Sequence, residues 1–132
     1  MSKEKQKMDM LPGLVNWNET ATKDLEGMKE IYTSQFGWNI EEMELPGGTY
    51  SFLKLGERLV GGMLQMPPEI GTPIMWMPYI TVPNLRDAVA KSTSLGAKLY
   101  KDITPIPGLG RLAIITNRQG AAVGLWESGD KN

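Results

Sequence analysis

An α+β fold is predicted: two tandem βαβββ modules whose strands form a curved, mostly antiparallel sheet around a cleft. Three observations predict it. An apolar strand, an amphipathic helix closed by glycine and three short strands broken by glycine turns follow one another over residues 12–66, and the same order returns over residues 74–127. Matching landmarks stand roughly 60 positions apart, and a supersecondary unit repeated at fixed spacing packs as copies within one body. Between the copies, residues 66–73 carry Pro67, Pro68 and Pro73, a composition that suits an extended link.

Each element follows from local pattern. Residues 13–20 open the first module as a strand with Val15, Trp17 and Glu19 on alternate positions. From Asp24 to Phe36 the residues Leu25, Met28, Tyr32 and Phe36 recur at intervals of three and four, the spacing of one helical stripe. Lys23, Glu26, Lys29 and Glu30 take the wet side, and Gly37 ends the helix. Pro46, Gly47 and Gly48 make a turn before the strand at residues 50–55, and Gly56 with Glu57 turns the chain again. The second module opens with a strand over residues 74–82, in which Pro78 lacks an N–H and implies a bulge or an edge position. Its helix runs from Asn84 to about Leu95, with Leu85, Ala88, Val89, Ser92 and Leu95 on the inner stripe. Asn84 caps it, with Asp87 three residues on, and Gly96 ends it. A loop over residues 107–110 and a turn at Asn117–Gly120 separate the closing strands.

Composition narrows the chemistry. The chain of 132 residues suffices for one domain over residues 11–132, preceded by a polar, disordered tail at residues 1–10. Cysteine and histidine are both absent, which removes the thiolate nucleophile, the disulfide, the commonest general base and the commonest transition-metal ligands. The 14 basic and 15 acidic residues leave a formal charge of −1 and are scattered, so no nucleic-acid partner is expected. No long apolar run supports a signal peptide or a membrane span, and a cytoplasmic location fits the missing cysteine.

The order of these landmarks resembles the vicinal oxygen chelate superfamily of glyoxalases, bleomycin-resistance proteins and extradiol dioxygenases. The similarity is carried by Pro12-Gly13, Trp17, Glu19, Thr22 and Asp24 at the start, and by Phe36-Gly37-Trp38 at the first helix exit. In the second module it is carried by residues 82–85, Leu95-Gly96, residues 107–111 and the closing residues 120–126. The resemblance implies a cleft and, in metal-dependent members, four ligands drawn from the first and last strands of the two modules. Those places fall on Trp17, Gly61 (or Met63), Met77 and Gly124, none of which is a usable zinc or iron ligand. No metal and no cofactor are therefore expected. Family habit also implies a symmetric homodimer.

Alternation along the strands then names a lining of Trp17, Glu19, Met63, Gln65, Met77, Tyr79 and Trp126, with Val15 and Thr81 on the same faces. Apolar walls with a few polar anchors make a small-molecule pocket, although large apolar side chains in strands also serve simply as core. A carboxylate on an apolar face is costly unless paired or functional, so Glu19 is the residue of interest. Its plain structural role would be an ion pair with Arg111 or Lys54. Three functions follow, in order of preference. The first is a metal-free protein that binds or sequesters a small organic molecule, using Trp17, Met63, Gln65, Met77 and Trp126. The second is a cofactor-independent lyase or isomerase with Glu19 as general base and Tyr79 as hydrogen-bond donor. The third is a metal-dependent glyoxalase-like lyase.

Overall fold

The computed structural model describes residues 11–45, 48–65 and 76–129. The predicted tail, the predicted link at residues 66–73, and Pro46 and Gly47 of the first turn lie outside the described residues. Ten elements follow in chain order: β1 (Val15–Thr22), α1 (Leu25–Phe36), β2 (Asn39–Leu45), β3 (Gly48–Leu55), β4 (Arg58–Gln65), β5 (Trp76–Thr81), α2 (Leu85–Ser94), β6 (Lys98–Ile106), β7 (Gly110–Thr116) and β8 (Ala122–Ser128). This is the α+β, twice-repeated βαβββ order that the sequence predicts. The chain forms two compact units, one spanning Trp17–Trp76, the other combining Met77 onward with the opening residues as far as Asn16.

In the first unit the strand order is β2-β3-β4-β1. Neighbours β2, β3 and β4 pair antiparallel, and β1 closes the set by pairing parallel with β4. The second unit repeats this as β6-β7-β8-β5, with β5 parallel to β8. The opening residues join the second unit through two backbone hydrogen bonds: Gly13 N–H donates to the Thr81 carbonyl at 2.8 Å, and Thr81 N–H to the Leu14 carbonyl at 3.0 Å. Pro78 sits one residue before the first pair with β8, Tyr79 with Gly124, where its missing N–H costs that ladder nothing.

Each helix starts behind a capping side chain, which the sequence predicts at Asn84. Asp24 accepts from Gly27 N–H at 3.1 Å and Asn84 from Asp87 N–H at 2.9 Å, satisfying amides that a first turn leaves open. A second clamp comes from the last strand of each unit. Gln65 receives Leu25 N–H on its carbonyl oxygen at 3.2 Å and donates its amide to the Lys23 carbonyl at 2.9 Å. At the equivalent place Glu127 accepts Leu85 N–H at 2.7 Å and binds Arg111 at 2.6 Å. Each helix start is thus tied to the end of the strand whose chain neighbours it must cover. Gly37, at φ 72°, closes α1 in the left-handed conformation that side chains disfavour.

Each unit has a buried layer on its helix side. Leu85, Ala113 and Leu125 form the centre of the second unit, with Ile80, Val82, Ala88 and Val89 packed around them. In the first unit Ser51, Leu53 and Met63 are fully buried, and Lys29 of α1 reaches down to Glu42 on β2. The Glu42 hydrogen bond is the main reason the Lys29 ammonium is held above its ordinary pKa. Two residues depart from the predicted inner stripes. Phe36 is 53% exposed and Leu95 is 70% exposed; each sits at or just past the last turn, where the stripe has already left the sheet. Among the described residues no helix is long and apolar enough to cross a membrane.

Glu127→Ala should destabilise the fold by about 2 kcal/mol, because it removes both an acceptor for the α2 start and the partner of Arg111. Glu127→Gln, which keeps an acceptor for Leu85 N–H, should cost less. Urea denaturation followed by far-UV circular dichroism compares the three proteins.

Candidate functional site

Register decides what faces the helix-free side of the first sheet. β1 and β4 align Glu19 with Gly62 and Thr20 with Met63, and side chains of aligned residues on neighbouring strands share a face. Trp17 and Glu19 therefore look out over Gly62. β3 adds Phe52, aligned with Gly62, and hence Tyr50 two residues away. The Tyr50 hydroxyl accepts the Trp17 indole N–H at 3.0 Å and donates to the Glu19 carboxylate. Phe52 meets both rings edge to face, at 6.0 Å from Trp17 and 5.0 Å from Tyr50, a geometry that aromatic quadrupoles favour. Burial pushes the Tyr50 phenol well above the ordinary tyrosine range. The negative charge of Glu19 and the hydrogen bond to it act in the same direction, while the Trp17 N–H opposes them. Tyr50 is thus a protonated donor that fixes the carboxylate.

The same register corrects part of the predicted lining. Gly61, Met63 and Gln65 were expected beside Trp17 and Glu19; they lie on the opposite face. Met63 is fully buried on the side covered by α1, and Gln65 is engaged at the helix start. The cause is the two-residue period of a strand, in which an offset of one position exchanges the faces. Gly61 and Gly62 are consecutive, so the sequence leaves both frames open. Each glycine has its own reason: a Cβ at 61 would strike the Asn18 carbonyl oxygen, and a Cβ at 62 would strike the Tyr50 hydroxyl. The cations proposed as plain partners for Glu19 are engaged elsewhere, Lys54 with Glu41 at 3.0 Å and Arg111 with Glu127 at 2.6 Å. Tyr50 and Phe52 were missed, although their alternation in β3 carried the signal.

In the second unit Tyr79 aligns with Gly124 and Thr81 with Trp126. Met77, Tyr79, Thr81, Gly124 and Trp126 thus share the face turned away from Leu125 and α2. The Tyr79 ring, almost wholly buried, lies where a Cβ on Gly124 would be. Trp126 packs over Gly110 in the same manner, its ring carbon Cζ2 2.6 Å from the place of a Cβ. Thr81 is buried, and its hydroxyl has no hydrogen-bond partner among the described residues. A buried hydroxyl without a partner carries a desolvation cost that a bound polar group would relieve.

These residues do not fit a metal ion. On the last strand of each unit the residue aligned with the site is glycine, and a tyrosine fills its side-chain space: Tyr50 over Gly62 and Tyr79 over Gly124. The first strands supply an indole at Trp17 and a thioether at Met77, which do not make a zinc, manganese or iron site. Among the described residues no group of three or more carboxylates, histidines or cysteines is placed to hold an ion.

No family model matches the sequence. A Mycobacterium tuberculosis protein named "Putative glyoxylase CFP32" is 36% identical over 120 residues, covering 88% of this chain and 46% of that protein. The chain spans about half the length of the curated relatives it matches. Among solved structures, methylmalonyl-CoA epimerase from Mycobacterium tuberculosis superposes with a TM-score of 0.60 at 17% identity, over 91% of this chain and 93% of that one. A glyoxalase/bleomycin resistance protein/dioxygenase superfamily member from Vibrio splendidus gives 0.58 at 12% identity, over 85% and 97%.

Together the relative and the shared fold support the vicinal oxygen chelate superfamily. The chain pairs the first and last strands of each module, and those strands present an indole, a thioether and glycines.

Tyr50 provides a pH test of this site. Its pKa is raised in the folded state, so its contribution to stability is complete below the unfolded tyrosine value of about 10 and is lost as pH rises beyond it. Between about pH 9 and pH 11 the wild type should therefore lose stability more steeply than Tyr50→Phe, as measured by urea midpoints at each pH.

Proposed function

We propose that this chain is a small-molecule-binding module of the glyoxalase/bleomycin-resistance type that works without a resident metal. The observation that carries the reading is the pair of glycines, Gly62 and Gly124, each with a tyrosine in the space a ligand side chain would need. What remains on the helix-free faces is aromatic surface with a few fixed polar groups: Trp17, Tyr50 and Phe52 around Glu19 in one unit, and Trp126 beside the buried Tyr79 and Thr81 in the other. Such surfaces hold flat organic molecules by stacking and dispersion, and select among them by a small number of hydrogen bonds. Glu19, held by Tyr50, acts as an anchor for a cationic or hydrogen-donating group. Binding without turnover makes sequestration the simplest role.

One observation favours a second reading, a cofactor-independent lyase or isomerase. A general base needs a positioned partner, and Tyr50 is such a partner for Glu19. The methylmalonyl-CoA epimerase superposition shows that this fold serves an isomerase elsewhere; at 17% identity it is a likeness of fold alone.

Elemental analysis of dialysed protein should find well under one transition-metal ion per chain. A fluorescence screen of flat organic cations, read through the tryptophans, should then identify a ligand. Glu19→Gln should weaken that ligand by about 1.5–3 kcal/mol with folding intact. If it instead abolishes turnover of the same compound while affinity is kept, the second reading holds. One tightly held ion per chain would sink the metal-free reading.

A further inference from the structure

A second aromatic assembly lies in the first unit, outside the faces discussed above. Tyr32, Phe36, Trp38 and Trp76 come together from α1, the segment after it and the start of β5. Tyr32 packs against Trp38 at 5.4 Å and Trp76 at 5.7 Å, and its hydroxyl accepts the Trp76 indole N–H at 3.2 Å. Phe36 backs the group at 5.9 Å from Tyr32 and 5.7 Å from Trp38. The two indoles stand almost perpendicular, at 88° with centroids 6.5 Å apart. They wall an open cavity of about 230 Å³ completed by Val60 and Asn18.

A group of four aromatics at a helix exit ordinarily serves as packing. Two features say more here. The cavity is walled by both indoles, and Trp76 remains 37% exposed beside it, so the rings are not consumed by one another. The polar chemistry is also one-sided: the Trp76 N–H is already donated to Tyr32, and among the described residues no charged side chain lines the cavity and Asn18 is the polar member of the lining. The surface presented is therefore rich in π electrons, which repel anions and attract cations. Shape narrows the class. A flat ring can lie face to face with only one of two perpendicular indoles, whereas a rounded cation draws on both. A methylated ammonium is rounded, weakly hydrated and small enough for this volume.

We infer that the cavity between Trp38 and Trp76 is a binding site for a small quaternary ammonium group, held by cation–π attraction and separate from the Glu19 face. The site is preorganised, since the Tyr32 hydroxyl and the Phe36 ring fix the indoles before any ligand arrives. It is independent of the reading proposed for the helix-free faces, which neither requires it nor supplies it.

Choline chloride is the probe, with 3,3-dimethylbutan-1-ol as its uncharged equivalent of the same shape. Two-dimensional NMR of the indole N–H signals of the full chain is the readout. Choline should shift the Trp38 and Trp76 signals saturably, and the uncharged alcohol should bind at least about tenfold more weakly. Trp38→Leu, and separately Trp76→Leu in case the first does not fold, should lose the effect at the remaining indole while circular dichroism shows the native spectrum. Glu19→Gln should leave choline binding unchanged. The inference is overturned if choline shifts neither signal at about 0.1 M, if the alcohol binds as well as choline, or if a folded Trp→Leu variant binds as before. It is equally overturned if Glu19→Gln removes choline binding, because the cation would then sit on the Glu19 face.

Discussion

Everything at the candidate site depends on the parallel pairing of the first and last strands within each unit. Placing Glu19 beside Gly62 and Tyr79 beside Gly124 fixes which residues share a face. The helix then covers the other face, because the last strand of the unit also holds the helix start, through Gln65 in one case and Glu127 in the other. One pairing thus sets two things together: what is buried under the helix and what is left on the opposite face. Moving it by one residue would put Glu19 and Met63 on the same face, so that either a charge is buried under the helix or an apolar side chain is turned outward.

The duplicated architecture carries different chemistry in its two halves. At the helix start, an amide in the first unit makes two neutral hydrogen bonds. A carboxylate in the second binds a backbone N–H and an arginine, a charge-assisted pair of the stronger kind. On the helix-free face, both units set a tyrosine over a glycine, but from different strands: Tyr50 comes from β3 and Tyr79 from β5. The same space is filled by two routes. The consequence is an organic surface where a metal-dependent relative would need ligand side chains, and Tyr50 gives that surface one fixed anion by donating to Glu19.

Polar edges of aromatic rings recur as the means of fixing these surfaces. Trp17 donates to Tyr50 and Trp76 to Tyr32, each joining an indole to a phenol some distance along the chain. A half-buried indole N–H needs such a partner, and once it has one the ring can no longer rotate freely. The two pairs leave the ring faces available for contact and spend the donors internally. Surfaces of this make-up discriminate against anions and against ligands that depend on donated hydrogen bonds.

The sequence by itself determined the α+β class, the repeated βαβββ order, the helix starts near Asp24 and Asn84, and the absence of imidazole and thiolate. These are properties of local spacing and residue type, which need no knowledge of what lies across the chain. It also placed Met77, Tyr79 and Trp126 on one face, since Gly124 offered a single frame for β8. Only the tertiary structure decided the frame of β4, because consecutive glycines at 61 and 62 allow either face to carry Met63 and Gln65. Only it brought Tyr50 to Glu19 across 31 positions of sequence, and Trp76 to Tyr32 across 44. Strand pairing is a contact between distant segments, and its register rests on the fit of side chains against glycines rather than on any pattern within one strand.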